Sequence, residues 1–209
     1  MAPGRFLSIE GGEGAGKSTQ IRLLADRLRA AGVEVLTTRE PGGSPGAEAI
    51  RELLMHGAIE RWSAHSEALL FAAARADHVE KTIRPAIGAG TWVLCDRFID
   101  SSRAYQGVAG GIDDAAVLAL HGFGSRGLLP DRTLVLEVSP EVGAERAAQR
   151  DGAAADRFAA RGRAFHDDVA AAFRRFAKAE PDRVRLVDAG GSVDAVAEAV
   201  WDAVADLLP

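Results

Sequence analysis

The chain has 209 residues, enough for one sizeable core, and 47% of them are apolar. Its formal net charge of −5 argues against a general nucleic-acid coat or a membrane-surface protein, and no apolar run approaches a membrane span. The single cysteine, Cys95, forbids an intrachain disulfide and suits a reducing compartment, so a soluble cytoplasmic protein without nucleic-acid or membrane partners is expected.

The first apolar run, residues 6–9, predicts a short buried strand. After it comes Gly11-Gly12-Glu13-Gly14-Ala15-Gly16-Lys17-Ser18, which reads G-x-x-x-x-G-K-[ST], followed by Thr19. Ile21, Leu24 and Leu28 then recur at helical spacing. Strand, glycine-rich loop and helix are the context a phosphate-binding loop needs. Its amides and the helix N-terminus attract an anion, Lys17 reaches the outer phosphates, and the Ser18 hydroxyl is suited to Mg²⁺.

Further apolar runs at 33–38, 91–95, 133–138 and 184–187 predict four more strands. The segments between them are long enough for crossover helices. The expected fold is α/β: a doubly wound, mainly parallel five-stranded sheet flanked by helices. Ser44-Pro45 offers an N-cap and a first-turn proline, and 66–87 reads as one long helix ended by Gly88-Ala89-Gly90. Small residues between Arg146, Arg150 and Arg157 make 146–162 an expected lid inserted into a single domain spanning 1–209.

A phosphate-binding loop by itself says only that a nucleoside triphosphate binds. None of the three lysines stands in the N-K-x-D motif of GTPases, and the acidic balance does not suit a nucleic-acid motor. A small-molecule kinase remains. Asp96-Arg97 closes the third expected strand at the sheet edge where α/β ligands bind. The carboxylate there suits Mg²⁺ or a proton, and Arg97, with Arg39 at the end of the second strand, suits a dianionic acceptor. The plain alternative is a strand-end ion pair.

Glu10 to Ser18, Thr38-Arg39-Glu40-Pro41-Gly42-Gly43, Leu70-Phe71-Ala72-Ala73-Ala74-Arg75, Asp96-Arg97-Phe98 and Ser101-Ser102-Arg103-Ala104-Tyr105-Gln106-Gly107 together resemble the successive signatures of thymidylate kinases. Order and spacing agree along essentially the whole chain. The resemblance implies a nucleoside monophosphate kinase-like P-loop fold, ATP and dTMP as substrates, Mg²⁺ as cofactor and a homodimer. It also implies roles. Lys17, Asp96 and Arg97 would act in phosphoryl transfer, and Ser18 and Asp96 would hold the metal. Arg39 and Arg97 would grip the acceptor phosphate, and Glu13 the 3′-hydroxyl of its sugar. Phe71 would stack on thymine, Arg75 would read a base carbonyl, Ser102 and Gln106 would read base and sugar, and Tyr105 would crowd the 2′ position. Some members carry an arginine inside the P-loop where this chain has Gly14. Catalytic arginines would then come from the lid, as Arg146, Arg150 or Arg157. The family often carries an aromatic or a histidine after Asp-Arg, so Phe98 fits the resemblance but cannot donate a hydrogen bond.

Two rival readings stay open at this point. Another nucleoside monophosphate kinase would act, for instance, on a pyrimidine ribonucleotide such as UMP, and a nucleotide-dependent switch would hydrolyse ATP without any acceptor.

Overall fold

The computed structural model describes residues 4–139, 141–143, 145–146, 157–158 and 160–208. Five strands, β1 (Phe6–Gly11), β2 (Val35–Arg39), β3 (Trp92–Asp96), β4 (Arg132–Glu137) and β5 (Val184–Asp188), form one parallel sheet in the order β2-β3-β1-β4-β5. The helices are α1 (Lys17–Ala30), α2 (Pro45–Met55), α3 (Ala64–His78), α4 (Arg84–Gly88), α5 (Ile99–Ser102), α6 (Asp114–Ser125), α7 (Arg163–Ala179) and α8 (Val193–Asp202).

The period-2 alternation of the strands sends side chains to both faces. Leu7, Ile9, Trp92, Leu94, Leu134 and Leu136 pack with α1 and α8 on one face. Phe6, Val93 and Cys95 join Phe98, Ile99 and Val117 on the other. A third cluster carries Val135 and Val184 against α7, where Val169, Ala172, Phe173 and Phe176 recur at helical spacing. The expected sheet is present, with one refinement: only β1, β3 and β4 are nearly continuously buried. The edge strands β2 and β5 keep exposed positions, because neighbours cover them on one side only.

Element ends differ for local reasons. Val33, expected in a strand, instead donates its amide to the Leu28 carbonyl (3.0 Å), after Gly32 at φ +81° closes the C-terminus of α1. The long helix expected at 66–87 starts two residues earlier, where Ser63 Oγ accepts from the Ser66 amide (3.2 Å). It also passes through a wider π turn at Val79–Ile83 before Pro85 enters α4. Ser44 caps α2 and Pro45 fills its first turn, as read. Of the expected lid, 147–156 and 159 lie outside the described residues, Arg150 among them.

Candidate active site

β1 is the middle strand, and the site lies beyond the carboxyl ends of β1, β3 and β2. The chain leaves β1 at Gly11, whose φ is +135° and where an added Cβ would stand 2.4 Å from the Leu136 carbonyl oxygen. Only glycine allows so close an approach. Gly12, Glu13, Gly14 and Ala15 carry the loop to Gly16, which enters α1 in the left-handed conformation (φ +87°). The first turn of α1 holds no acidic residue, so its free amides face the cavity without an internal competitor. Lys17 Nζ folds back over the loop and donates to the carbonyls of Gly11 (3.3 Å) and Gly12 (3.0 Å). Desolvation and then the charge of Arg97 push its pKa down to about 8.

A cavity of about 570 Å³ opens between this loop and the ends of the neighbouring strands. Its walls include Glu13 to Thr19 at one end and Arg39, Phe71, Arg75, Ser102, Tyr105 and Gln106 at the other, with Asp96, Arg97 and Arg146 also lining it. Residues from Glu13 to Val196 are thereby gathered around one space, although Gly11 and Gly12 stand behind it as acceptors for Lys17. Ser18 Oγ donates to Asp96 Oδ2 at 3.2 Å, so the two residues expected at the metal are adjacent. Among the described residues no three His, Cys, Asp or Glu side chains are grouped to cage a metal. A hydroxyl and one carboxylate fit an ion that keeps waters and phosphate oxygens as its other ligands, the habit of Mg²⁺.

Arg97 joins β3 to α5 with a positive φ of +71°, its amide still bonded to the Ile9 carbonyl (3.0 Å). Its Nη1 donates to Ser101 Oγ (3.1 Å), and its guanidinium carbon stands 5.0 Å from the centre of the Tyr105 ring. Desolvation pulls its pKa down, but Tyr105, Glu10 and Asp96 outweigh this and hold it above its ordinary value. The group stays charged. Arg39, more exposed, donates to Glu48 (3.1 Å), whose carboxyl is held below its usual range first by the Gly43 amide.

Three buried carboxylates organise these side chains, and the sequence reading assigned a role to none of them. Glu10, fully buried at the end of β1, accepts from the Phe98 amide (2.7 Å) and from Ser101 Oγ (2.5 Å). Burial pushes its pKa up to about 7 against the pull of Arg97. Glu40 accepts from Arg75 Nε (2.7 Å) and pairs with His78 Nδ1 (3.1 Å), while His78 Nε2 meets Thr38 Oγ1 (2.8 Å). Gly43 makes room for that imidazole, since an added Cβ would lie 2.3 Å from His78 Nε2. Glu67 sits in α3 against the acceptor end. An acid ending an apolar strand, such as Glu10 after Phe6-Leu7-Ser8-Ile9, was the available signal for one of the three.

Several expected readers are engaged with protein atoms. Arg75 donates to Ser102 Oγ (2.8 Å) and to the Phe98 carbonyl (3.2 Å) as well as to Glu40, so the polar partner expected for this cation is a carboxylate of the protein itself. Gln106 Nε2 donates to Glu67 Oε1 (3.1 Å). Phe71 lines the cavity and meets Phe158 edge-on, with centroids 5.6 Å apart. Phe98 is core, stacked edge-on between Phe6 and His121. Arg146 donates to the Ala189 carbonyl (2.9 Å) at the donor end. Arg157, the third arginine expected of the lid, is likewise engaged with protein atoms. Its guanidinium bonds to three carbonyls near the end of α2 and to Glu67, because these buried acceptors need a donor, and it does not line the cavity.

The family model for thymidylate kinase matches residues 9–200 of the chain. The thymidylate kinase of Rhizorhabdus wittichii is 59% identical over 207 residues, covering 99% of this chain and 100% of that protein. That of Caulobacter vibrioides is 54% identical over 208 residues, covering 100% and 99%. The crystal structure of thymidylate kinase from Ehrlichia chaffeensis superposes with a TM-score of 0.75 at 32% identity, covering 96% of this chain and 98% of that one.

Proposed function

The chain belongs to the thymidylate kinase family and is a phosphotransferase that moves a phosphoryl group from ATP to dTMP; from that premise we propose which residues do the work. The donor end is the loop Gly11 to Thr19, with its amides and Lys17 on the phosphates of ATP. The acceptor end is Arg39 and Arg97 on the 5′-phosphate, Glu13 on the 3′-hydroxyl, Phe71 and Arg75 on the base, and Tyr105 against the 2′ position. The observation that carries this division is the single cavity in which Lys17, Ser18, Asp96 and Arg97 stand together between the two sets.

A phosphate monoester is largely dianionic at neutral pH, so the attacking oxygen needs no base. Positioning and charge neutralisation then carry the step. Arg97, kept charged and tethered to Ser101, orients the acceptor oxygen, while Lys17 and the amides of α1 draw charge from the transferring group. Ser18 and Asp96 would hold Mg²⁺, which when bound offsets charge on the phosphates. Arg146 and Arg150 remain our candidates for added positive charge from residues 146–162, which we read as a lid within one domain; Arg150 lies outside the described residues.

A homodimer is the assembly we propose. On α6 Phe123 is 92% and Leu118 37% exposed, and Leu69 is 56% exposed on α3, which packs on α6. Exposed large apolar side chains on two packed helices suit a partner surface. No described helix is long and apolar enough to cross a membrane, and we place the enzyme in the cytoplasm with its nucleotide substrates. The decisive assay compares dTMP, dUMP, UMP and dCMP as acceptors with ATP. We expect dTMP to have the highest kcat/KM; strong preference for UMP, or ATP hydrolysis indifferent to acceptor, would overturn the assignment of the base-reading residues.

A further inference from the structure

The short stretch that holds Arg157 and Phe158 borders the acceptor end of the cavity. The Arg157 side chain is 2% exposed. Its Nε donates to the Ala58 carbonyl (3.0 Å), Nη1 to Leu54 (2.9 Å), and Nη2 to Ile59 (2.7 Å) and to Glu67 Oε2 (3.1 Å). Leu54 lies in the last turn of α2, whose carbonyls have no partner within the helix. Arg161 Nη2 adds bonds to both Glu67 oxygens (3.2 and 3.0 Å), and Gln106 Nε2 reaches Oε1 from the opposite side. One buried carboxylate thus ties two arginines to the segment that carries Tyr105 and Gln106.

Phe158 is held inside this frame. It is 7% exposed, meets Phe71 edge-on at 5.6 Å and Tyr105 at 6.3 Å, and forms part of the cavity wall. The Arg161 guanidinium stands 5.1 Å from its ring centre. A guanidinium engaged by three carbonyls and a carboxylate is committed to position, since a phosphate would have to replace all of them.

We propose that Phe158 is a wall of the acceptor's base pocket, and that Arg157 and Glu67 are positioning residues that hold it against Phe71 and Tyr105. The pocket they complete takes a pyrimidine base, and its affinity, not the rate of phosphoryl transfer, depends on them. This rests on the assignment of the Phe71–Arg75 end of the cavity to dTMP.

The test measures kcat and KM for dTMP and for ATP in Phe158→Ala, Phe158→Leu, Glu67→Gln and Arg157→Lys, with Arg75→Ala as reference and thermal melts as the folding control. Phe158→Ala, Glu67→Gln and Arg157→Lys should each raise the KM for dTMP about tenfold, the scale of one lost charged or aromatic contact, with the KM for ATP within about twofold. Phe158→Leu should recover most of that loss. Arg157→Lys with a kcat lowered a hundredfold and an unchanged KM for dTMP would make Arg157 a phosphoryl-facing cation and overturn the proposal. So would lowered melting temperatures with every kinetic constant unchanged. If Arg75→Ala also leaves the KM for dTMP unchanged, the assignment of the base end itself fails; if only the other variants do, the proposal fails alone.

Discussion

Glu10→Gln should make the enzyme more stable at pH 8 than at pH 5, relative to wild type, by about 2–3 kcal/mol. Glu10 is fully buried, and its pKa is raised from 4.5 to about 7, chiefly by desolvation. A raised carboxyl binds its proton more tightly in the folded state, so its contribution is fully present below pH 4.5 and is lost as pH rises through about 7. At about 1.4 kcal/mol per pKa unit, the full swing is about 3 kcal/mol, most of it between pH 5 and 8. Wild type hides this. Burial, then the charge of Arg75, lowers the pKa of His121 from 6.5 to about 4, so its contribution rises with pH over that interval. The two slopes oppose each other between about pH 4.5 and 6.5. Glutamine keeps an oxygen for the Phe98 amide and a donor for Ser101, as the protonated acid does, and removes only the titration. Urea unfolding of both proteins at pH 5 and 8 isolates the difference, because the other groups cancel. A stability difference that stays constant within about 0.5 kcal/mol between the two pH values, a fraction of the predicted swing, would refute the reasoning.

Glu40→Gln leaves the Arg75 guanidinium without its buried counter-charge, so it should lose about 3 kcal/mol in urea unfolding; a loss under about 1 kcal/mol would show that the Arg75–Glu40 pair is dispensable. Its KM for dTMP should rise as well. Ser18→Ala removes one of the two groups offered to Mg²⁺ and should raise the Mg²⁺ concentration needed for half-maximal rate about tenfold or more, with the melting temperature of the nucleotide-free enzyme kept. Unchanged Mg²⁺ dependence would remove Ser18 from the metal. Phe123→Asp places a charge on the most exposed large apolar side chain described and should shift the protein from dimer to monomer in light scattering at micromolar concentration.

The architecture was legible because each of its signals is local. Buried parallel strands read as continuous apolar runs, and the loop Gly11 to Ser18 declares its own geometry through glycines at fixed offsets. The placement of Asp96 and Arg97 followed from a general rule about strand ends in α/β sheets. What stayed hidden was pairing over distance. Glu10 meets Ser101 across 91 positions, Glu40 meets Arg75 across 35, and Glu67 meets Arg157 across 90. Nothing in the neighbourhood of Arg157 distinguishes a cation facing phosphate from one seated on backbone carbonyls. The same blindness explains Gln106 and Ser102, read toward the substrate and found also holding the protein together.

Arg97 has a left-handed backbone, which for a residue with a Cβ is disfavoured by about 1–2 kcal/mol. Arg126, the other described non-glycine with positive φ, ends α6, where a left-handed cap is ordinary. Arg97 has no such excuse between strand and helix. Glycine would relax the backbone there and remove the guanidinium, so folding and the phosphate contact we propose favour different residues at one position. A corner of this kind announces its task through discomfort: the side chain is retained where the main chain would sooner be rid of it. That signature belongs to geometry alone, and it would single out the same corner in a protein of this fold whose sequence resembled nothing else.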